Sequence, residues 1–206
     1  MSHKDEWLTW ATKLQSLAQN GLAYTENVFD RERFEEIRQI SVEMLACASG
    51  LPEDKVRDLF ANETGYQTPK IDTRAAIIKE GRILLVQENN GTWSLPGGWC
   101  DVDQSVLENV QKEAKEEAGL EIAVERLVAV LDKRKNNPVT SAHYVTKLFF
   151  LCRELGGQFE KNNETLQSAY FSMDQLPPLA EGKNTVAQLQ LCFEAAAAEH
   201  WETVVD

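Results

Sequence analysis

Glu113, Glu116 and Glu117 crowd the last turns of a segment with helical periodicity, and spacings of three and four place them on adjoining parts of one face. As bare charges they are badly placed. Like charges four residues apart cost a helix roughly a few tenths of a kcal/mol, and acids near a helix C-terminus oppose its dipole. Taken alone, such a run is more often a solvated acidic face than a site. A hard divalent cation offers a second reading, because Mg2+ takes oxygen ligands and keeps waters for a phosphate-bearing substrate, which would reverse both penalties. Just upstream, Pro96-Gly97-Gly98 can turn the backbone sharply and expose carbonyls.

The acids need a frame. Ser105 and Glu108 form a capping box that starts their helix, Val106, Val110 and Ala114 give it an apolar side, and Gly119 is a left-handed stop. Strand-like runs surround it at 75–78 and 83–86, about a turn at Glu80-Gly81, then at 122–132, 143–152 and 168–171, with a further helix near 185–198. Strands mixed with helices without regular alternation predict an α/β sandwich around a mixed sheet. Residues 1–62 read as a small all-helical domain. Its first helix carries Trp7, Trp10, Ala11, Leu14, Leu17 and Ala18 and stops at Gly21. A second follows Asp30 as N-cap, with Phe29 and Phe34 as a hydrophobic staple, and ends at Gly50; Pro52 opens a third. Residues 63–70 form a linker, and 71–206 a second domain. The helical segment has more apolar faces than so small a unit can bury, so it is expected to pack on the second domain or across a homodimer.

With 43% hydrophobic and 26% charged residues, the 206-residue chain has the balance of a globular protein with a sizeable core. No apolar run approaches the ~20 residues of a membrane span, and the N-terminus lacks the apolar stretch of a signal peptide. Cys47, Cys100, Cys152 and Cys192 lie far apart, without metal-ligand spacing, and read as free thiols of a cytoplasmic protein. A net charge of −12 disfavours nucleic acid as a partner, and any phosphate ligand must be held by local cations or metal.

The stretch from Trp93 to Leu120, WSLPGGWCDVDQSVLENVQKEAKEEAGL, resembles the Nudix box, G-x5-E-x7-R-E-U-x-E-E-x-G-U, where U is bulky and apolar. Gly98, Glu113, Glu116, Glu117, Gly119 and Leu120 fall in register. Two positions depart: Gln104 replaces the first glutamate and cannot be a charged ligand, and Lys112 replaces the arginine, keeping the charge without the planar fork. The resemblance implies the Nudix α/β/α sandwich, and the helical extension is similar to the subgroup that includes CDP-choline and ADP-ribose pyrophosphatase-like members. It implies that Glu113, Glu116 and Glu117, with the carbonyl of Gly97, hold Mg2+ or Mn2+. Water would then attack a diphosphate phosphorus, releasing a nucleoside monophosphate, with a glutamate as general base. Candidates for the catalytic carboxylates are Glu116, Glu117 and Glu164. Many relatives carry a glutamate three residues beyond Glu164, where this chain has Gln167.

Further substrate contacts are expected from Arg74, whose alternative is an edge-strand charge, and from Lys133 and Arg134 in a basic loop ending at Lys135. Of Trp93 and Trp99, which flank the glycine turn, Trp99 is expected to be exposed and able to stack on a base. Tyr144 opens a strand after the basic loop. Hydrolysis of a CDP-choline or ADP-ribose type substrate leads; a weakly active or non-catalytic ligand sensor, weakened at Gln104, Lys112 and Gln167, and a metal-dependent RNA-end nuclease are the competing readings.

Overall fold

The computed structural model describes residues 3–138, 141 and 143–206. The chain divides into two compact units, residues 1–69 with 140–144, and residues 70–139 with 145–206.

The first unit is helical: α1 (His3–Tyr24), α2 (Val28–Ser49) and α3 (Glu53–Phe60). Ala11, Val42, Leu45, Val56 and Phe60 meet in its small core. Two sequence expectations are corrected. Gly21 does not stop α1; it lies inside the helix, and a side chain there would meet the Phe34 ring at 2.4 Å, so its role is close helix packing. The N-cap of α2 is Asn27 rather than Asp30, because the Asn27 Oδ1 accepts from the Phe29 and Asp30 N–H groups at 2.9 and 3.2 Å. Asp30 instead sits in the first turn and pairs with Arg33 at 2.6 Å. Gly50 ends α2 in the left-handed conformation, as its position suggested.

The second unit is a seven-stranded mixed sheet with helices on both faces. Its strands are β1 (Lys70–Lys79), β2 (Arg82–Glu88), β3 (Trp93–Ser94), β4 (Leu120–Asp132), β5 (Val145–Gly157), β6 (Thr165–Phe171) and β7 (Val204–Val205). Their order is β3-β2-β1-β5-β4-β7, with β6 paired to β2. β1 runs parallel to β5 and antiparallel to β2, so it is an interior strand. Glu80 and Gly81 both have positive φ, the turn that matches strand twist in a two-residue hairpin. Side chains alternate across β1. Ala75 and Ile77 pack with Val110 and Ala114 of α4 (Val106–Ala118), whereas Ala76 packs with Leu189 and Cys192 of α6 (Val186–Ala197). The basic run is not a loop: Lys133–Asn136 is a one-turn helix, α5, because the Asp132 side chain accepts the Arg134 N–H at 2.8 Å and caps it.

The capping box at Ser105 and Glu108 starts α4, and Gly119 ends it at φ 70°. A Cβ on Gly119 would lie 2.1 Å from the Gln158 carbonyl oxygen. Gly119→Ala therefore combines left-handed strain with a backbone clash, and chemical denaturation should show a loss of about 2 kcal/mol or more. An unchanged midpoint would show that the end of α4 is not held against the β5–β6 connection.

Candidate functional site

The site begins with the close approach of the glycine turn to β1. Thr73 N–H donates to the Gly98 carbonyl at 2.9 Å and Ala75 N–H to the Pro96 carbonyl at 2.8 Å, so the carbonyls on either side of Gly97 are spent on the sheet. At Gly97, φ is 147° and a Cβ would lie 1.9 Å from the Thr73 oxygen, so only glycine fits. Its N–H donates to Glu117 Oε2 at 2.8 Å. The next residue, Gly98, lies against Glu113, whose two carboxylate oxygens would stand 3.0 Å from a Cβ placed there. The glycine pair thus abuts two acids one helical turn apart, about 6 Å along α4.

Burial raises the pKa of Glu117, opposed by the Gly97 N–H and by the charges of Arg74 and Lys183. Burial also raises Glu113, to about 7, reinforced by the Glu117 charge. Glu116 is different: its side chain is 58% exposed, with Lys112 Nζ at 3.9 Å. Lys112 makes its closer contact with Asp101, at 2.7 Å, so it bridges the turn to α4 as a point charge rather than a fork.

Among the described residues, no three His, Cys, Asp or Glu side chains converge as a closed metal-ligand set. The donors do fit a hard, partly hydrated cation. Mg2+ is commonly held through one or two carboxylates with its remaining positions taken by water and substrate, and Glu113 and Glu117 are two carboxylates whose ionised forms are disfavoured without a counter-charge.

Beside Glu117 opens a polar cleft of about 370 Å3, lined by Glu88, Asn89, Asn90, Glu117, Asn163, Glu164 and Lys183. Glu164 therefore faces the same space as Glu117. Gln167 is turned away, its Nε2 donating to Gln87 Oε1 at 2.6 Å on the neighbouring strand. Gln104, where the family motif has its first glutamate, has its Oε1 buried without a hydrogen-bond partner.

Arg74 is neither an edge-strand charge nor a ready phosphate ligand. It is 3% exposed, donates to both Asp72 oxygens at 2.6 and 2.9 Å, and gives a third bond to the Leu95 carbonyl at 3.2 Å. Its donors already have partners, so it acts behind the turn. Burial lowers the pKa of Lys133, Asp72 raises it and Arg74 lowers it. Arg134 pairs with its own cap, Asp132, at 2.5 Å. Trp99 is 53% exposed and Trp93 is buried edge-on against Phe171. Tyr144 groups with the helical unit, and the site described here is built from the sheet unit alone.

Sequence reading passed over Asp72, Glu88, Lys147, Lys183 and Asn184. Two signals were present: Lys147 immediately precedes the apolar run 148–152, and Asp72 and Arg74 share one face of another strand.

Residues 69–190 match the profile of the NUDIX domain, and residues 5–60 that of the UDP-X-like, N-terminal oligomerisation domain. Over 98% of this chain and 97% of its own length, YjhB of Bacillus subtilis, provisionally named an ADP-ribose pyrophosphatase, is 41% identical. Among solved structures, an ADP-ribose pyrophosphatase from Streptococcus suis is 65% identical, covering 68% of this chain and 100% of its own, with a TM-score of 0.64. A UDP-X diphosphatase is 34% identical, covers 98% of both chains, and has a TM-score of 0.64.

The raised Glu113 gives a test free of any ligand. A carboxyl whose folded pKa lies above its unfolded value binds extra protons in the folded state between the two, so its contribution is full below the unfolded value and lost as pH rises through about 7. In metal-free protein, Glu113→Gln should leave the melting temperature near pH 4 unchanged and raise it at pH 8. An equal shift at both pH values would contradict the burial and repulsion described.

Proposed function

The chain belongs to the NUDIX-domain family, and from that membership we propose that it hydrolyses the diphosphate linkage of a nucleoside diphosphate derivative of the ADP-ribose type, releasing a nucleoside monophosphate. One observation carries this: Glu113 and Glu117 are seated against a turn in which no other residue type could stand at Gly97. The names of the Bacillus subtilis and Streptococcus suis relatives and of the UDP-X diphosphatase support a nucleoside diphosphate joined to a further group. CDP-choline remains the alternative substrate of the same class.

Glu113, Glu116 and Glu117, with the Gly97 carbonyl, are the groups we assign to Mg2+ or Mn2+; such an ion, when bound, offsets phosphate charge and acidifies an attacking water. The protein's own part is to hold the acids still. The Gly97 N–H fixes the Glu117 carboxylate, and Arg74, locked on Asp72, supplies a positive field from within the sheet. We assign Glu164, across the cleft from Glu117, as the general base that accepts the proton of the attacking water. Lys133 and Lys183 offset the repulsion of an anionic substrate by a chain of net charge −12. Trp99, exposed beyond Gly98, offers a face for the base. We place the reaction in the cytoplasm, where the four free thiols persist; among the described residues no helix is long and apolar enough to cross a membrane.

Incubation with Mg2+ or Mn2+ and a panel of ADP-ribose, UDP-sugars, CDP-choline, dinucleoside polyphosphates and nucleoside triphosphates should release AMP or another monophosphate. Glu164→Gln should lower kcat by about 10²–10⁴-fold, and Glu117→Gln should abolish nearly all turnover while remaining folded by circular dichroism. Full activity in Glu117→Gln would remove α4 from the mechanism.

We further propose a homodimer formed through the helical unit, on the strength of the matched oligomerisation domain and of Trp7 and Trp10, which are 48% and 52% exposed on α1. Light scattering should give twice the chain mass for the full protein and the monomer mass for a chain beginning at Thr68. A shortened chain that still dimerises would assign association to the sheet unit.

A further inference from the structure

Lys147 lies on β5 with no exposed surface, its Nζ 4.0 Å from Asp72 Oδ2. Asp72 is already matched by Arg74, so the ammonium is not needed to neutralise it. The nearby charges of Arg74, Lys133 and Lys183 oppose it, and burial is the largest influence lowering its pKa, to about 7. A methionine of similar length would avoid the cost of burying a charge, but it would forfeit every hydrogen bond the ammonium makes. Neutralising Asp72 therefore gives no reason for a lysine.

Its hydrogen bonds give one. Lys147 Nζ donates to the carbonyls of Gly182 (3.3 Å) and Lys183, gripping the loop that leads into α6. From that loop, Lys183 Nζ reaches Glu88 Oε1 at 2.9 Å in the acidic cleft, and Glu88 also accepts from Ser94 Oγ at 3.0 Å. The next residue, Asn184, accepts the Leu95 N–H at 2.8 Å and keeps this bond although its own Nδ2 is buried without a partner. Arg74 holds the Leu95 carbonyl from the other side. Two residues further on is Gly97, whose N–H seats Glu117.

We propose that Lys147 is a positioning residue of this site: by gripping the carbonyls of residues 182 and 183 it stands Lys183 in the acidic cleft and lets Asn184 pin the turn on which Glu117 is seated. Its kinetic consequence rests on the hydrolysis proposed above; its structural consequence does not. Lys147 touches no reacting group and works through the loop.

The test uses Lys147→Met and Lys183→Ala, singly and together, in the full chain. Lys147→Met should remain folded at the assay temperature, yet lose about tenfold to a hundredfold in kcat/KM on the nucleotide the parent cleaves. The double variant should be little worse than the more impaired single variant, because both changes break one linkage. A purely structural lysine would instead give unchanged kinetics below the variant's melting temperature and additive effects, and that result overturns the proposal. Amide hydrogen exchange supplies a readout without turnover: in metal-free Lys147→Met, the Leu95 and Gly97 amides should exchange faster than in the parent. Unchanged exchange at both overturns the proposal whatever the kinetics. If the parent cleaves no nucleotide, the hydrolysis reading fails and the exchange result alone decides the role of Lys147. If Lys147→Met does not fold, Lys147→Gln, which keeps a donor without the charge, carries the same two measurements.

Discussion

The site depends on one steric fact, the passage of the Gly97 backbone so near β1 that a Cβ would lie 1.9 Å from the Thr73 oxygen. That approach permits the paired bonds from Thr73 and Ala75 to the carbonyls of Gly98 and Pro96, and these orient the turn as an extension of an interior strand. A strand buried on both faces moves little, so the Gly97 N–H is a fixed donor and Glu117 has a fixed seat. Helix α4 is defined at its ends by the capping box and Gly119 and packs Val110 and Ala114 on the same strand, so the acids and the turn share one support. Precision here comes from backbone, not from long side chains.

Charge is managed in layers around that contact. The outer acid, Glu116, is solvated and tethered to Lys112. The inner acids, Glu113 and Glu117, are desolvated enough to resist ionisation. Behind the turn, Asp72 and Arg74 close a buried pair, and Lys133, Lys147 and Lys183 add positive charge on the α6 side of the sheet. In a chain of net charge −12, these cations partly offset the acids that line the cleft a phosphate would enter.

Much of this was legible in the sequence wherever the signal is local. The capping box, the left-handed stop at Gly119 and the Glu80-Gly81 hairpin are set by residues within a few positions of one another, and they form as read. The family motif brought the glycines and acids into register before any fold was known. What escaped reading is non-local. Gly21 looks like a helix stop, but its meaning lies in the ring of Phe34 on another helix. Arg74 looks like a free phosphate contact, but its partners are an aspartate on the same face of its strand and a carbonyl contributed by the turn. Lys147 precedes the apolar run 148–152 of β5, and only the return of the 180–184 loop gives it acceptors.

The central claim is that the Gly97–Gly98 turn and the inner acids of α4 together hold a divalent cation. Mn2+ titrated into isotope-labelled protein tests it directly, because a bound paramagnetic ion broadens the amide resonances around it. Selective loss of the Gly97 and Gly98 amide signals at substoichiometric Mn2+, abolished in Glu117→Gln, is the result this structure predicts. Broadening confined to other acidic surfaces, with both glycine signals intact, would contradict it.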